Sequence, residues 1–465
     1  MNWLFARQNN GSFILRLEDT DADRTEEEFV QAMCDGFKWL GIDWDEGPAF
    51  GDEPEKGNHG PYRQSERVQS HRDAGQKLLD SGKAYRCFCT KEELDIEREK
   101  ARAEKRPPRY NGKCSTIPPE EAQARADAGE RNVVRFGVPE GSTIIDDIVQ
   151  GRVETQNKEF DDFVILKPTG DPIFHLAVVV DDGEMNITHV LRGDDHLTNT
   201  SRHAMLFDAL GYERPLFGHL PMVLDERGKK YSKRERGANV LDWRADGYLP
   251  ETMINYVALM GWSPGDDTEV FTREELLNVF SIERLGKSAA KFDLKRLQWI
   301  NGQQMRNLNV KDLTDRVLPI LHEAGIDTSS KSDEWLNQMV EICQEKLKTL
   351  NEIVLYTDFF FKEITNYEKK GVKKQWRKEG ALEKINAILD LFNADPDCTT
   401  QSLHDAYEAL SESTGLGLGQ YIHPTRLALS GKSVGPGLFE LAELLGKDEC
   451  IRRIENAVEY VKGLE

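Results

Sequence analysis

No apolar run in the sequence approaches the ~18 residues that a bilayer-spanning helix requires, which excludes a membrane-spanning chain of the helical kind. Cysteine is sparse: seven residues, an odd number, scattered over 465 positions. That is no framework for a small secreted domain, and it fits a reducing cytosol. Positive charge is in deficit, with 61 Lys+Arg against 82 Asp+Glu and a net charge of −21. Such a deficit governs solubility and the long-range field, yet a local basic face can still hold a phosphate backbone. Internal repeats and low-complexity tails are missing as well, and the first seven residues, Met1 to Arg7, are too short and polar-flanked for a signal peptide. What remains, with 38% hydrophobic and 31% charged residues, predicts a soluble, cytoplasmic, multidomain protein with ample core.

The opening segment reads as alternating α/β. Residues 13–18 form a short apolar run ending in acids, expected as a strand. Thr25 to Glu28 has a capping-box pattern, opening a helix with Phe29, Met33, Phe37 and Leu40 on one stripe and Gly41 as its stop. From residue 83 the texture changes to a Cys-rich turn, a charged helix over 92–105 and hairpin-like runs at 133–138, 143–153 and 162–167. These make residues 83–172 an α+β insertion between two parts of a sheet domain, 1–82 and 173–223. The apolar run 174–180, closed by Asp181 and Asp182, predicts a buried parallel strand. After Asp312 strand signals fade, and stripes such as Leu382, Ile385, Leu389 and Phe392 predict helices.

The most telling segment is Gly228-Lys229-Lys230-Tyr231-Ser232-Lys233-Arg234, with four cations around one serine. Mobile ammonium groups suit a polyanion whose charge grows as pyrophosphate leaves; a solvated loop has the same composition. Lys230-Tyr231-Ser232-Lys233-Arg234 resembles the Lys-Met-Ser-Lys-Ser loop of class I aminoacyl-tRNA synthetases, in the Lys-Leu-Ser-Lys-Arg form of the bacterial-type glutamyl-tRNA synthetases. Further blocks stand in that family's order: Arg16-Leu17-Glu18-Asp19-Thr20-Asp21, Gly60 to Arg67, Val190 to His196, and Gly417-Leu418-Gly419-Gln420 with Pro436-Gly437-Leu438-Phe439. The resemblance spans essentially the whole chain.

It implies a multidomain α/β Rossmann-type catalytic domain with an α+β insertion, followed by an all-α anticodon-binding domain. Residues 1–82 and 173–223 would be the catalytic halves, 83–172 the acceptor-arm-binding insertion, 224–312 a stem-contact domain, and 313–465 the helical anticodon-binding domain. The implied activity is ATP-dependent attachment of L-glutamate to tRNA(Glu) through glutamyl-adenylate, with Mg²⁺ as counter-ion and a monomeric enzyme. Lys230, Ser232 and Lys233 would be catalytic, with Asp195 and Lys233 at ATP. Glu18 would meet the substrate ammonium and Arg192 a carboxylate, which is chemically sound because glutamate offers one cation and two carboxylates. Phe174 and Val178 stand where some relatives carry Tyr and Asn against the side-chain carboxylate, so both polar groups are lost here. Surface ion pairs are the alternative use of Glu18 and Arg192. His175, His189, His203 and His219 pair with no nucleophile and read as structural or surface residues.

Cys87, Cys89 and Cys114, with Tyr110 four residues before the last, form a second constellation. Bacterial relatives hold zinc here with Cys-x-Cys and a later Cys-x-His, but the His position is Thr116. The related glutamyl-queuosine enzymes use Tyr-x-x-x-Cys, which implies a site of Cys87, Cys89, Tyr110 and Cys114; three reduced thiols are the alternative. Lys369, Lys370, Lys373, Lys374, Arg377 and Lys378 make a basic patch near Trp376. The patch is a strip for RNA phosphate, with exposed aromatics to stack on anticodon bases, or a solvated face. Lys346 lies near the position where discriminating relatives read the last anticodon base with Arg.

The family opens with a strand and a His-Ile-Gly-His-type turn that packs against ATP, and this sequence begins inside the following helix. About 20 residues, enough for a strand, a loop and a helical turn or two, would lie upstream of Met1. The rival readings are a glutaminyl-tRNA synthetase, disfavoured by the scarcity of strands after Asp312, the glutamyl-queuosine enzyme, which lacks a helical last third, and a non-catalytic tRNA-binding relative.

Overall fold

A computed structural model describes residues 1–19, 27–51, 53–107, 109–230, 239–395 and 397–464. The chain divides into two units, Met1–Leu241 with Ile254–Asp293, and Asp242–Met253 with Leu294–Glu465.

The first unit opens with α1 (Asn2–Gln8), which buries Trp3, Leu4 and Ala6. Trp3 Nε1 donates to Asp43 Oδ1 at 2.9 Å, so the helix is tied down at its polar edge as well. Residues 13–18 are extended, as expected, but form no ladder. Leu15 N donates to Glu46 O and Leu17 N to Tyr62 O, each at 2.9 Å. The segment thus changes partner after one residue pair, leaving isolated parallel bridges, Ile14 with Glu46 and Leu17 with Arg63. The next helix, α2 (Glu27–Leu40), ends at Gly41 with φ +65°, a left-handed position that suits glycine. Thr25 and Glu26 of the expected capping box lie outside the described residues. The buried face of α2 runs through Val30 and Cys34, with Phe37 partly buried, and Phe29 is 64% exposed. Of the expected stripe, Met33 and Phe37 do pack against this core while Phe29 does not, and positions 30, 34 and 37 centre the buried face at the i, i+4, i+7 spacing.

α3 (Val68–Asp80) leads to β1 (Ala84–Cys87), α4 (Lys91–Ala103) and α5 (Pro119–Asp127). β2 (Val133–Phe136), β3 (Ser142–Asp147), β4 (Gly151–Gln156) and β5 (Phe163–Leu166) follow. They assemble as an antiparallel sheet in the order β1-β2-β5 and a β3-β4 hairpin.

The run expected as a buried parallel strand is instead a helix, α6 (Phe174–Glu184). Seven of its consecutive residues, Leu176 to Asp182, are buried. A helix enclosed on all sides has no polar face, and its sequence loses the 3.6-residue signature that separates it from a buried strand. It packs against α7 (Leu197–Leu210), which crosses over between the parallel strands β6 (His189–Gly193) and β7 (Leu216–Leu220). Leu176, Val179 and Val180 of α6 share a core with Leu206 and Phe207 of α7, Ile165 of β5 and Phe217 of β7. The β6-β7 register sets Arg192 opposite His219.

The second unit is helical, and among the described residues no strand follows Leu220. Helix-to-helix contacts between Val310–Glu323, Asp333–Gln344, Ala381–Ala394, Gly419–Ser430, Leu438–Leu445 and Lys447–Lys462 enclose one core. Leu313, Met339, Ile388, Leu427, Leu441 and Ile454 are fully buried in it.

Candidate active site

A cleft of about 850 Å³ opens in the first unit, and its wall includes Arg16, Glu18, Phe174, Val178, Asp182 and Arg192. The four residues named for the glutamate site are thus brought to one cavity, from the extended segment 13–18, the first turn and middle of α6, and the end of β6. Arg192 stands at the carboxyl end of a parallel strand, where open α/β sheets place their ligands.

Charge in the cleft floor is held by a buried network. Asp181 Oδ1 accepts from Arg67 Nε at 2.6 Å and lies 2.9 Å from His71 Nε2, while Oδ2 accepts from Gln64 Nε2 at 2.8 Å. Arg16 Nη1 meets Asp182 Oδ1 at 2.8 Å and its Nη2 lies 3.7 Å from Glu18 Oε1. Burial alone would raise the Asp181 pKa, but His71, Arg16 and Arg67 hold it below the usual carboxylate range. Glu18 goes the other way: burial outweighs Arg16 and the neighbouring Asp182 and Asp181 add repulsion, so its pKa is raised. Gln64 and Arg67 explain physically why the block from Gly60 to Arg67 is needed, since it supplies two of the partners that keep Asp181 charged. Ser65 closes the same block on Asp19, with its N and Oγ each 2.8 Å from the carboxylate.

Arg192 is fixed from behind. Its Nη2 donates to Thr200 Oγ1 at 2.6 Å and its Nε to His219 Nε2 at 3.3 Å. Behind these, His219 Nδ1 lies 2.5 Å from Asp147 Oδ2, with both side chains fully buried. His203 Nδ1 is 3.5 Å from Arg192 Nη2, and His203 Nε2 is 3.1 Å from His175 Nδ1. Burial, reinforced by nearby arginines, lowers the pKa of His175 to about 4 and that of His203 well below its usual value, so both rings stay neutral beside the guanidinium. The expectation that these histidines were structural or surface residues thus needs refining: His203 and His219 are buried in the shell of Arg192. His189, by contrast, packs its ring against Phe5 at 4.7 Å.

At the rim, Lys230 Nζ lies 3.1 Å from Asp195 Oδ2, and Asp195 precedes His196, a residue of the cleft wall. The hydrogen bond from Lys230 lowers the Asp195 pKa. The described part of the cationic segment therefore reaches the helical turn that continues β6. Ser232 and Lys233 lie outside the described residues.

Residues 1–299 match the family described as tRNA synthetases class I (E and Q), catalytic domain, and residues 312–458 match an anticodon binding domain. The chain belongs to these class I tRNA synthetases. It is similar to glutamate–tRNA ligase 1 of Syntrophomonas wolfei, 43% identical over 100% of this chain and 92% of that protein. It is also similar to the glutamate–tRNA ligase of Moorella thermoacetica, at 40% identity over 99% and 94%. Among solved structures, a glutamate tRNA ligase from Elizabethkingia meningosepticum, crystallised in complex with its amino acid, superposes with a TM-score of 0.86 at 30% identity, covering 99% of this chain and 95% of that one.

Away from the cleft, the synthetase gathers the predicted cysteine cluster. The sulfurs of Cys87, Cys89 and Cys114 lie within 4.8 Å of one another. Cys89 and Cys114 are 3.6 Å apart, and Tyr110 OH is 3.4 Å from Cys87 Sγ and 3.9 Å from Cys89 Sγ. A tetrahedral zinc with ~2.3 Å bonds to sulfur has edges of about 3.8 Å, so the spacings suit one. The turn is built locally: β1 delivers Cys87, and Thr90 caps α4 in a capping box with Glu93, fixing the chain just after Cys89. Thr116 is exposed and bonds Lys113 O.

In the helical unit Lys346, Lys373, Lys374 and Arg377 are exposed. Trp376 is not: it is 2% exposed and sits edge-on to Tyr367, with ring centroids 4.6 Å apart. Trp376 is therefore not the exposed aromatic of this patch, because a π-helical turn over Val372–Trp376 directs the indole into the core while the lysines stay in solvent; the exposed ring beside it is Tyr460, 5.7 Å from Trp376.

Proposed function

We propose that the chain attaches L-glutamate to tRNA(Glu) at the expense of ATP, by way of glutamyl-adenylate, and acts in the cytoplasm as a monomer. The observation that carries the reading is the convergence of Glu18 and Arg192 on one cleft whose rim holds Lys230 against Asp195. Glu18 meets the substrate's ammonium group and the guanidinium of Arg192 a carboxylate, so the amino acid is held by opposite charges at its two ends. Phe174 and Val178 contribute an apolar wall, which binds the methylene stem and leaves carboxylate recognition to Arg192. With the carboxylate oriented, an oxygen attacks the α-phosphorus of ATP in line and pyrophosphate departs. Lys230 and Lys233, with Ser232, stabilise the developing phosphate charge, and Asp195 contacts the nucleotide. Mg²⁺ supplies further countercharge on phosphate oxygens when bound, and Asp195, an exposed carboxylate, fits such a nucleotide-borne ion. The terminal ribose hydroxyl of the tRNA then takes the acyl group.

Cys87, Cys89, Tyr110 and Cys114 would hold a structural zinc, tying the end of β1 to the 110–114 turn. Less than about half an equivalent of zinc in protein purified without chelator overturns this site. Lys346, Lys373, Lys374 and Arg377 would meet the anticodon region, as cations on phosphate rather than as a guanidinium fork at Lys346.

The test is glutamate-dependent ATP–pyrophosphate exchange, with and without tRNA, followed by charging of purified tRNA(Glu) and tRNA(Gln). Exchange and acylation of tRNA(Glu) are expected. Binding of tRNA without either reaction would favour the non-catalytic reading, and glutamine-dependent charging the glutaminyl one.

A further inference from the structure

Arg192 enters the cleft through a wall that is polar far deeper than contact with substrate requires. His219 of β7 and Thr200 of α7 send buried polar groups to one guanidinium, and Asp147 of β3 stands behind His219. Burying such groups costs free energy unless each is paired. Here the pairing is directional. An arginine can only donate, so the bond from Arg192 Nε requires a lone pair on His219 Nε2, and the ring's proton must then sit on Nδ1. Asp147 provides the acceptor that keeps it there, at 2.5 Å. The carboxylate is itself anchored: its Oδ1 accepts from Val149 N at 2.9 Å, Gln150 N at 2.7 Å and His219 N at 3.1 Å. Thr200 completes the clamp: its Oγ1 accepts from Arg192 Nη2 at 2.6 Å and lies 2.8 Å from His219 Nε2 and 3.1 Å from His196 O, and with the ring proton on Nδ1 its hydroxyl donates to His219 Nε2. None of these bonds uses Nη1, the remaining nitrogen of a guanidinium that lines the cleft.

We propose that Asp147, His219 and Thr200 are positioning residues that fix the tautomer and hydrogen-bond acceptors behind Arg192, so that its guanidinium is presented to the amino-acid carboxylate in one orientation. The proposal rests on the reading of Arg192 as the carboxylate contact. Its physical content is preorganisation: an arginine frozen before the substrate arrives spares binding the cost of ordering a long side chain. The hydrogen bonds of the clamp go to the guanidinium of Arg192 and not to Lys230 or Asp195, so its effect is on the amino acid.

The test compares Thr200→Val, Thr200→Ser, Asp147→Asn and Arg192→Lys in glutamate-dependent ATP–pyrophosphate exchange. Thr200→Val keeps the shape and removes the acceptor. Asp147→Asn keeps the shape and lets the amide donate to His219 Nδ1, which turns the Nε2 proton against the guanidinium. Both are expected to raise the glutamate KM about tenfold, in line with loss of a hydrogen bond to a charged group, with kcat and the ATP KM nearly unchanged. Such a split marks lost ground-state binding. Thr200→Ser restores the acceptor and the wild-type KM. If Arg192→Lys leaves the glutamate KM unaltered, the underlying reading of Arg192 is wrong. If Arg192→Lys raises that KM but Thr200→Val and Asp147→Asn do not, the positioning role is overturned while the reading stands. A fall in kcat and rise in both KM values together with a lowered melting temperature, unrescued by Thr200→Ser, assigns the cluster to folding alone and also overturns the proposal.

Discussion

The two units spend charge differently. In the first, carboxylates go to the interior: Asp181 and Asp147 are fully buried side chains that depend on Arg67, His71 and His219. In the second, many ion pairs ride on helix surfaces, such as Lys311 with Asp315 at 2.9 Å and Lys462 with Glu459 at 2.7 Å, over a core of aliphatic and aromatic residues, and the buried Arg453 pairs with the half-buried Glu449. Buried ionic networks are a poor means of stabilising a fold, because desolvation offsets the attraction. Their concentration beside one cleft makes that cleft the candidate site for a charged substrate.

The comparison is broken most severely at its centre. Asp181→Ala leaves Arg16, Arg67 and His71 without their shared anion and is expected to cost about 3–5 kcal/mol, measured as the shift in urea midpoint. A loss no greater than that of an exposed ion pair would mean that the network bears no weight. Next in size, Lys233→Ala is expected to slow pyrophosphate exchange about 10²-fold, as removal of one transition-state charge contact does, with the urea midpoint unmoved. An unchanged rate would remove the cationic loop from the mechanism.

Two glutamates sharpen the contrast through their opposite pKa shifts. Glu18 has a raised pKa in the folded state, chiefly from burial, so folding favours its proton and stability is lost as pH rises through that pKa. Glu18→Gln is therefore expected to raise the melting temperature at pH 7, by an amount that shrinks as pH falls through the raised pKa, and to raise the glutamate KM about tenfold or more. Glu449 of the second unit is held down to about 2, first by its hydrogen bond from Arg452 and further by Arg453. Its contribution is present above the ordinary carboxylate pKa and is lost as pH falls towards about 2. Glu449→Gln should lower the melting temperature at pH 7 and match the wild type near pH 2. Identical signs for the two variants at pH 7 would defeat the comparison. Smallest of all, Lys311→Ala should leave the urea midpoint unchanged, since an exposed i, i+4 pair is screened by solvent.

Local chemistry made much of this legible. Gly41 stops α2, the helical spacing of Ile385 and Phe392 places them in the core, and the hairpin runs between 133 and 167 become β2 to β5 because turn residues separate alternating segments. The constellation of Cys87, Cys89, Tyr110 and Cys114 was visible because its spacings fall within one strand end and one turn. Two features were not. The α6 run looked like a strand because burial on every side erased its period, and Trp376 looked available because a π-helical turn cannot be told from an α-helical one by residue type. The shell of Arg192 was invisible for another reason. Asp147, Thr200 and His219 lie far apart along the chain, and no local pattern of residue types links them.

By itself the sequence determined the family, the order of its chemical blocks and the helical character of the last third, since these rest on residue types at short spacing. Only tertiary structure decided which carboxylates are buried, which histidine nitrogen faces a guanidinium, and that Glu18 and Arg192 share a cleft. Hydrogen bonds and desolvation depend on what lies within a few ångströms in space, and chain order records that distance only within a turn or a strand.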